Sequence, residues 1–293
     1  MRDTSDRIPP ARLYYFVSLF FLLIGSIWGQ NGSFNFFPED SWFKPPLLDP
    51  ASAQSSASLL RFQATDEPTP KVYSPVNLGF QKILIRRNLN AQNGWEAGVE
   101  FGIHTQFSII STPTAPMGGL DNTDYLIAGI WHYKHGRTVE RLQLFHQSSH
   151  LGDDYLIRNQ IVEPNNRSQN YEQLSYLRAH TEKSSRWYYG LGVNISPNTV
   201  RERILVQGGM EIVQSMGGNI RAIQLVAGVN VKLYGEHDYY PNLKTGAGVR
   251  FSRDKRSRLT LLVEYYRGHL PYSTLAYQKV SWLGLGAYLQ PRF

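Results

Sequence analysis

Cysteine is absent from all 293 residues of the chain. This absence excludes disulfide bonds, cysteine-ligated metals, thiol catalysis and a cysteine-linked lipid anchor. Apolar residues are too few for a bundle of membrane helices, because the mean hydropathy is −0.35 and 18% of the residues are charged. A transmembrane β-barrel is compatible with this low mean hydropathy, because the residues that face its lumen are polar.

Dense runs of one charge are scarce, although the net charge is +7. The densest basic run contains Arg253, Lys255, Arg256 and Arg258, and such a short run indicates a turn or a contact with anionic lipid. The chain has no zinc-finger, helix-turn-helix or RNA-binding pattern. We therefore expect no nucleic-acid partner.

The first 29 residues have the pattern of a secretory signal peptide. Arg2, Arg7 and Arg12 precede an apolar run over residues 13–29, and the sequence becomes polar at Gln30. A basic start, an apolar stretch and a small residue before a polar segment predict export and cleavage after residue 29. The alternative is a single membrane anchor, and in both cases the remaining chain leaves the cytoplasm.

Residues 30–76 are rich in proline and contain a Ser/Ala tract at 52–58. No regular alternation of polar and apolar residues is apparent in this stretch. Such a composition is typical of a linker or of a segment that lies against another domain. We expect a Pro/Ser-rich periplasmic linker.

Residues 77–293 form a series of alternating segments separated by turn residues. Most segments are long for strands of soluble proteins, and their length suits a tilted crossing of a bilayer. The aromatic content of 13% is found in soluble β-sandwiches as well as in the aromatic girdles of membrane barrels. Together these features predict an all-β, antiparallel transmembrane β-barrel of about 10–12 strands in the outer membrane of a Gram-negative bacterium.

The last segment, residues 280–293, supports this prediction. Leu283, Leu285, Leu289 and Phe293 fall on one face of a strand, and more polar residues fall on the other. A terminal aromatic residue resembles the signal by which the barrel-assembly machinery recognises outer-membrane proteins, so we expect that machinery and outer-membrane lipid as partners. With the C-terminus in the periplasm, the short connections fall on the periplasmic side and most of the longer ones fall outside.

The cluster with the most chemistry lies between residues 142 and 154. On a strand, Leu142 and Leu144 share a face with His146, Ser148 and His150. If the leucines face lipid, the histidines and the serine point outward near the outer leaflet.

Residues two apart on a strand have Cα atoms about 6–7 Å apart, so His146 can reach the Ser148 hydroxyl as a general base. This arrangement predicts Ser148 as a nucleophile and His146 as its base. Asn170, Glu172 and Asp153 are candidates for the group that orients the histidine.

Two other interpretations of the cluster stay open. His150, Asp153 and Asp154 together form a candidate site for a divalent cation such as calcium. The cluster could equally have a structural role where polar and aromatic residues meet.

The string His146-Gln147-Ser148 resembles the H-x-S core of outer-membrane phospholipase A, which carries its dyad on the barrel exterior. The longer string HQSSHLGDDY at 146–155 resembles the DUF1207 family of bacterial exported proteins, as do the blocks at 121–125, 167–172 and 265–272. That resemblance covers residues 77–293 and implies a barrel-like exported protein without an assigned activity.

Two functional hypotheses follow. The first is a hydrolase of acyl esters in outer-leaflet lipid, whose substrate is a phospholipid or lipid A. The second is a barrel without enzymatic activity: a narrow pore, a ligand-binding surface protein or a structural protein.

Overall fold

The computed structural model describes residues 32–65, 71–111, 116–161, 168–195, 202–216, 223–251 and 257–291. Residues 1–29, predicted as the signal peptide, and Phe293 lie outside these ranges. The described residues form thirteen strands, one short helix and two 3₁₀ turns, at Gly235–His237 and Ser273–Leu275. The elements are β1 (Ser33–Phe36), β2 (Ser55–Ala64), β3 (Lys71–Asn88), β4 (Asn93–Ser111), β5 (Pro116–His135), β6 (Thr138–Leu151), α1 (Asp153–Arg158), β7 (Ser168–Thr181), β8 (Ser185–Asn194), β9 (Ile204–Ser215), β10 (Ile223–Tyr234), β11 (Pro241–Phe251), β12 (Ser257–His269) and β13 (Lys279–Pro291).

Strands β2 to β13 form a closed antiparallel barrel of twelve strands. Each strand pairs with the next along the chain, and β13 pairs with β2 to complete the wall. The short strand β1 adds to the end of β3, where Ser33 lies opposite Asn88. The predicted all-β barrel of 10–12 strands is therefore confirmed at twelve. No helix within the described residues is long and apolar enough to span a membrane.

The wall has an apolar exterior and a largely polar interior. In β12, Leu259, Leu261 and Val263 are exposed, whereas Thr260 and Glu264 on the opposite face are buried. Side chains alternate between the two faces of a strand, so this pattern puts the apolar residues outside and the polar ones in the lumen. In β13, Leu283, Leu285 and Leu289 are exposed as the sequence predicted. An apolar exterior on a closed barrel is the arrangement that a lipid bilayer requires.

The two ends of the barrel differ in their connections. Residues 89–92, 136–137 and 182–184 join strands at the end where β13 finishes, and residues 152–167, 195–203 and 270–278 join them at the opposite end. Of these six connections, the three at the first end are the shorter ones. Short turns are typical of the periplasmic end of such barrels. We call this end the tight-turn end.

The structure corrects the predicted boundary between the linker and the barrel at residue 77. Strand β2 and the first residues of β3 lie within the wall, inside the segment 30–76 that the sequence analysis interpreted as a linker. The alternation is inverted in the last part of β2: Leu60 and Phe62 point into the barrel, and Arg61 points outward. The inward residues pack on a buried apolar cluster that includes Trp282 and Tyr266. A strand with this reversed polarity lacks the apolar-out signal on which the boundary was based.

Residues 37–54 are here called the luminal segment: Phe37, Glu39 and Asp40 are exposed, whereas residues 41–54 are buried or half-buried inside the barrel. Trp42 N–H donates to Glu96 Oε1 of β4 at 2.8 Å, and Leu47 N–H donates to Glu211 Oε1 of β9 at 2.7 Å. Asp49 forms a 2.7 Å ion pair with Lys232 of β10. These strands stand on opposite sides of the wall, so the segment crosses the lumen.

Electrostatics and close packing hold the luminal segment. Burial acts to raise the pKa of Asp49, but the charge of Lys232 and hydrogen bonds from Lys232 and Gln207 outweigh it, so the pKa is lowered. The segment also passes directly over β3: a Cβ added to Gly79 would lie 2.5 Å from the Ala53 carbonyl carbon. Glycine at position 79 permits this approach of two backbones.

Candidate functional site

The candidate residues of β6 lie on the outer surface of the barrel. His146 is 43% exposed and His150 is exposed, whereas Gln147 and Ser149 between them are buried toward the lumen. Ser148 shares the outward face with both histidines. The alternation predicted from Leu142 and Leu144 thus continues to the end of β6.

The neighbouring strands complete a small polar area on this face. Directly paired residues of antiparallel strands share a face: Ser148 pairs with Asn170 of β7 and Tyr125 of β5, and His146 pairs with Glu172. The sequence-predicted residues Ser148, His146, Asn170 and Glu172 are therefore brought together. Toward the middle of the wall the same face is apolar, with exposed Ile127, Leu142 and Leu174.

The Ser148 hydroxyl contacts His150, not His146. Its Oγ lies 2.7 Å from His150 Nε2. Both histidines are two residues from Ser148 on the same face, so the spacing S-x-H at 148–150 fits as well as H-x-S at 146–148. Only the H-x-S pattern was predicted to be catalytic, and the S-x-H spacing at 148–150 is the sequence signal that identifies His150.

His146 has a carboxylate partner instead. Its Nδ1 lies 2.9 Å from Glu172 Oε1, and the glutamate side chain is 26% exposed. A carboxylate on one ring nitrogen fixes the orientation of the ring and leaves Nε2 available. Glu172 therefore occupies the orienting position that the sequence proposed for Asn170, Glu172 or Asp153.

His150 is held by packing rather than by a carboxylate. The ring of Tyr125 meets it edge-on, with ring centroids 6.1 Å apart. The two imidazoles that flank Ser148 thus differ: one is hydrogen-bonded to the hydroxyl, and the other is oriented by an acid.

A buried polar network lies directly behind the site, on the luminal side of β5 and β6. Ser149 Oγ donates to Asp124, and Gln147 Nε2 donates to Asp124 Oδ2 at 2.8 Å and to Ser273 Oγ at 2.7 Å. Thr274 N–H donates to Ser149 Oγ at 3.3 Å. The network ties the connection 270–278 to the site strands and restricts their motion. Sequence reasoning missed it, because its members are far apart in the chain.

The proposed metal ligands do not converge. Asp154 Oδ2 accepts a hydrogen bond from Leu120 N–H at 2.9 Å, and His150 contacts Ser148 on the outer face. Asp153 is exposed in the first turn of α1. Within the described ranges, no group of three or more acidic or histidine side chains is arranged to hold a metal ion. The interpretation of His150, Asp153 and Asp154 as a site for a divalent cation such as calcium therefore has no ligand cluster to support it among these residues.

Comparison with known proteins gives a family and a fold. The model of a family described as protein of unknown function (DUF1207) matches residues 27–290. No curated protein matches the sequence.

Solved structures of outer-membrane phospholipases are similar to the barrel. The Salmonella typhi outer membrane phospholipase dimer with bound calcium has a TM-score of 0.52 and 12% identity, over 87% of this chain and 96% of that chain. Outer membrane phospholipase A from Escherichia coli has a TM-score of 0.52 and 10% identity with the same coverage. An active-site mutant of the Escherichia coli enzyme has a TM-score of 0.51 and 9% identity, again over 87% and 96%.

At these identities the likeness establishes the fold alone. The closed wall, the apolar exterior and the outer-membrane proteins that share the fold place this protein in the outer membrane.

Proposed function

The chain belongs to the DUF1207 family, and from the site on its barrel we propose that it hydrolyses acyl esters of lipid in the outer leaflet, with Ser148 as nucleophile. The observation that carries this proposal is the 2.7 Å contact between Ser148 Oγ and His150 Nε2 on the outward face. A serine becomes nucleophilic when an adjacent base accepts its proton.

The position of the site favours a chemical role. Ionisable residues on the exterior of a membrane barrel are costly where lipid surrounds them. His146 and Glu172 nevertheless stand on the outer face beside exposed Ile127 and Leu174. Such placement is a reason to assign a function to these residues.

The geometry supports a two-step acyl transfer. Ser148 Oγ attacks the ester carbonyl carbon while its proton passes to His150 Nε2. His150 then returns the proton to the departing alcohol, which leaves an acyl-serine. Water, activated by the same imidazole, hydrolyses the acyl-serine and releases the fatty acid and free Ser148. The Asn170 amide, opposite Ser148 in the register, is the candidate donor to the oxyanion.

The pair of His146 and Glu172 supplies a second candidate base. If the Ser148 side chain rotated toward His146, the serine hydroxyl, the imidazole and the Glu172 carboxylate would form a row of hydrogen-bonded groups. This is the arrangement of known catalytic triads. We assign the base to His150 because its hydrogen bond to the hydroxyl is present in the structure.

The substrate class follows from access. The site faces lipid rather than the lumen, close to the end of β6 that is opposite the tight-turn end. An acyl chain can lie along the apolar wall below Ser148 while its ester reaches the hydroxyl. A phospholipid and lipid A both carry such esters, and both are candidate substrates.

The luminal segment argues against the pore hypothesis. It crosses the barrel between Glu96 and Glu211 and fills the space through which a solute would pass. An outward-facing enzyme needs no open lumen.

The proposal is tested by measuring fatty-acid release from phospholipid and from lipid A by the purified full chain in detergent. Ser148→Ala is expected to reduce kcat by at least about a thousandfold, because loss of a nucleophile removes covalent catalysis. The matched control is Ser281→Ala, which removes a hydroxyl on the outward side of β13. Equal activity of Ser148→Ala and Ser281→Ala, or no activity in a folded wild type, would overturn the proposal. Calcium and chelator arms test separately for a dependence on that ion.

A further inference from the structure

The tight-turn end of the barrel opens into a cavity of about 340 Å³ between the luminal segment and the wall. Its lining includes five basic side chains from four separate parts of the chain. We call this group the cationic vestibule: Lys44, Lys183, Arg186, Arg250 and Arg258.

Acidic side chains do not balance this charge. Glu182 and Glu211 also line the cavity, so five basic groups face two acidic ones. Glu211 Oε1 is already engaged by Leu47 N–H at 2.7 Å and lies 3.7 Å from Arg186 Nη2, beyond hydrogen-bond distance. The vestibule therefore has an excess of positive charge.

Arg186 has unused hydrogen-bonding capacity. Its side chain is 13% exposed, and its Nε and Nη2 atoms are buried without a hydrogen-bond partner within the described residues. The guanidinium lies over Phe43 and Tyr188, with its carbon 5.7 and 5.4 Å from the ring centroids. Packing against two rings fixes the orientation of the guanidinium, and a buried charged donor without an acceptor is costly.

Arg250 adds a second buried guanidinium. Its Nε donates to Thr260 Oγ1 at 3.0 Å, and the charges that act on it are those of Arg258, of the acidic Glu211 and of Arg186. Like charges in a partly enclosed site repel each other strongly, because the effective dielectric constant is low. An anion among these guanidinium groups would offset the repulsion and accept hydrogen bonds from Arg186 Nε and Nη2.

We propose that the cationic vestibule binds a multivalent oxyanion of the phosphate class. Planar guanidinium groups match phosphate oxygens through paired hydrogen bonds. The cavity is at the lower end of the size range of small-molecule sites, which fits a headgroup or a small organic phosphate. Because the vestibule opens at the tight-turn end, the anion comes from the periplasmic side, either as a soluble phosphate or as the headgroup of an inner-leaflet lipid. The vestibule is separate from Ser148, so this proposal is independent of the hydrolase.

Inorganic pyrophosphate is the probe. It is titrated calorimetrically into the full chain in an uncharged detergent, at constant ionic strength, with chloride as the reference anion. We expect saturable binding of pyrophosphate and a dissociation constant about tenfold or more higher in Arg186→Gln and in Arg250→Gln, because each variant loses a charge-assisted hydrogen bond. Arg250→Lys, which keeps the charge, should recover part of the affinity.

Arg61→Gln is the matched control. Arg61 points outward from β2, toward the opposite end of the barrel, and its removal should leave the affinity unchanged within about twofold. Heat-dependent gel mobility confirms that each variant is a folded barrel. The proposal is wrong if pyrophosphate binds wild type no better than chloride does, or if folded Arg250→Gln and Arg61→Gln bind it equally.

The source of the anion is identified by repeating the titration in vesicles. In phosphatidylcholine vesicles, the Arg250-dependent binding of pyrophosphate should persist. The site is assigned to a lipid headgroup if the Arg250-dependent binding is lost when phosphatidylglycerol is added. The control is Arg61→Gln in pure phosphatidylcholine vesicles, which should still bind pyrophosphate. Unchanged binding with phosphatidylglycerol assigns it to a soluble phosphate. Both results support the site.

Discussion

At the scale of single residues, Ser148 stands between two imidazoles that are chemically different. His150 is hydrogen-bonded to the Ser148 hydroxyl through Nε2, and His146 is hydrogen-bonded to Glu172 through Nδ1. The assignment of the base decides how each variant behaves, so the two histidines can be separated by kinetics.

We expect His150→Ala to lower kcat by about 10²–10⁴-fold, the usual effect of losing a general base. His146→Ala should have a smaller effect, and Glu172→Gln should follow His146→Ala because it acts through that ring. The measurement is kcat on a phospholipid as a function of pH for the three variants. The reverse order, with His146→Ala more damaging than His150→Ala, would assign the base to His146 and leave Ser148 as the nucleophile.

At the scale of elements, the luminal segment is the part of the chain whose position has the largest functional consequence. It connects β1 to β2, yet it contacts β4, β9 and β10 inside the barrel. A barrel of twelve strands lies between the small barrels filled by side chains and the larger ones that contain an aqueous channel. Whether such a barrel conducts therefore depends on what occupies its lumen.

Deletion of residues 37–51 should open the lumen to ions. In planar bilayers, we expect the full chain to show no steady conductance and the deletion variant to show discrete conductance steps, because the segment that crosses the lumen is gone. Gel mobility before and after heating checks that the deletion variant still forms a barrel. The full chain with Asp49→Asn, which keeps the segment but weakens its ion pair with Lys232, is the matched comparison. A folded deletion variant that does not conduct would show that luminal side chains alone close the barrel.

At the scale of the whole molecule, the orientation of the barrel connects both proposals. The Ser148 site lies at the end of the longer connections, and the cationic vestibule lies at the tight-turn end. An outer-leaflet substrate requires the end with the longer connections to face the outside of the cell.

The absence of cysteine allows a direct test of this orientation. Asp153→Cys places a thiol on exposed α1, and Arg137→Cys places one in an exposed tight turn. In intact cells, a membrane-impermeant maleimide should label Asp153→Cys and should label Arg137→Cys only after the outer membrane is disrupted. If only Arg137→Cys is labelled in intact cells, the barrel has the opposite orientation, and the assignment of Ser148 to the outer leaflet is wrong.

The sequence by itself determined the barrel and the outward face of β6, because the alternation of side chains is a local property of a strand. Leu142 and Leu144 were sufficient to predict that His146, Ser148 and His150 face outward. Glu172 was one of three candidates for the orienting group, and the strand register that pairs it with His146 is a property of the folded barrel.

Only the tertiary structure decided which histidine contacts Ser148, because a spacing of two residues fits both neighbours and the side-chain rotamer selects between them. It also decided the positions of β2 and the luminal segment. Leu60 and Phe62 of β2 face inward on a cluster that includes residues of β12 and β13. Glu211 and Gln207, which bond to Leu47 and Asp49, lie more than 150 residues away from them in the chain. Contacts at such separations depend on closure of the barrel, which no local pattern records.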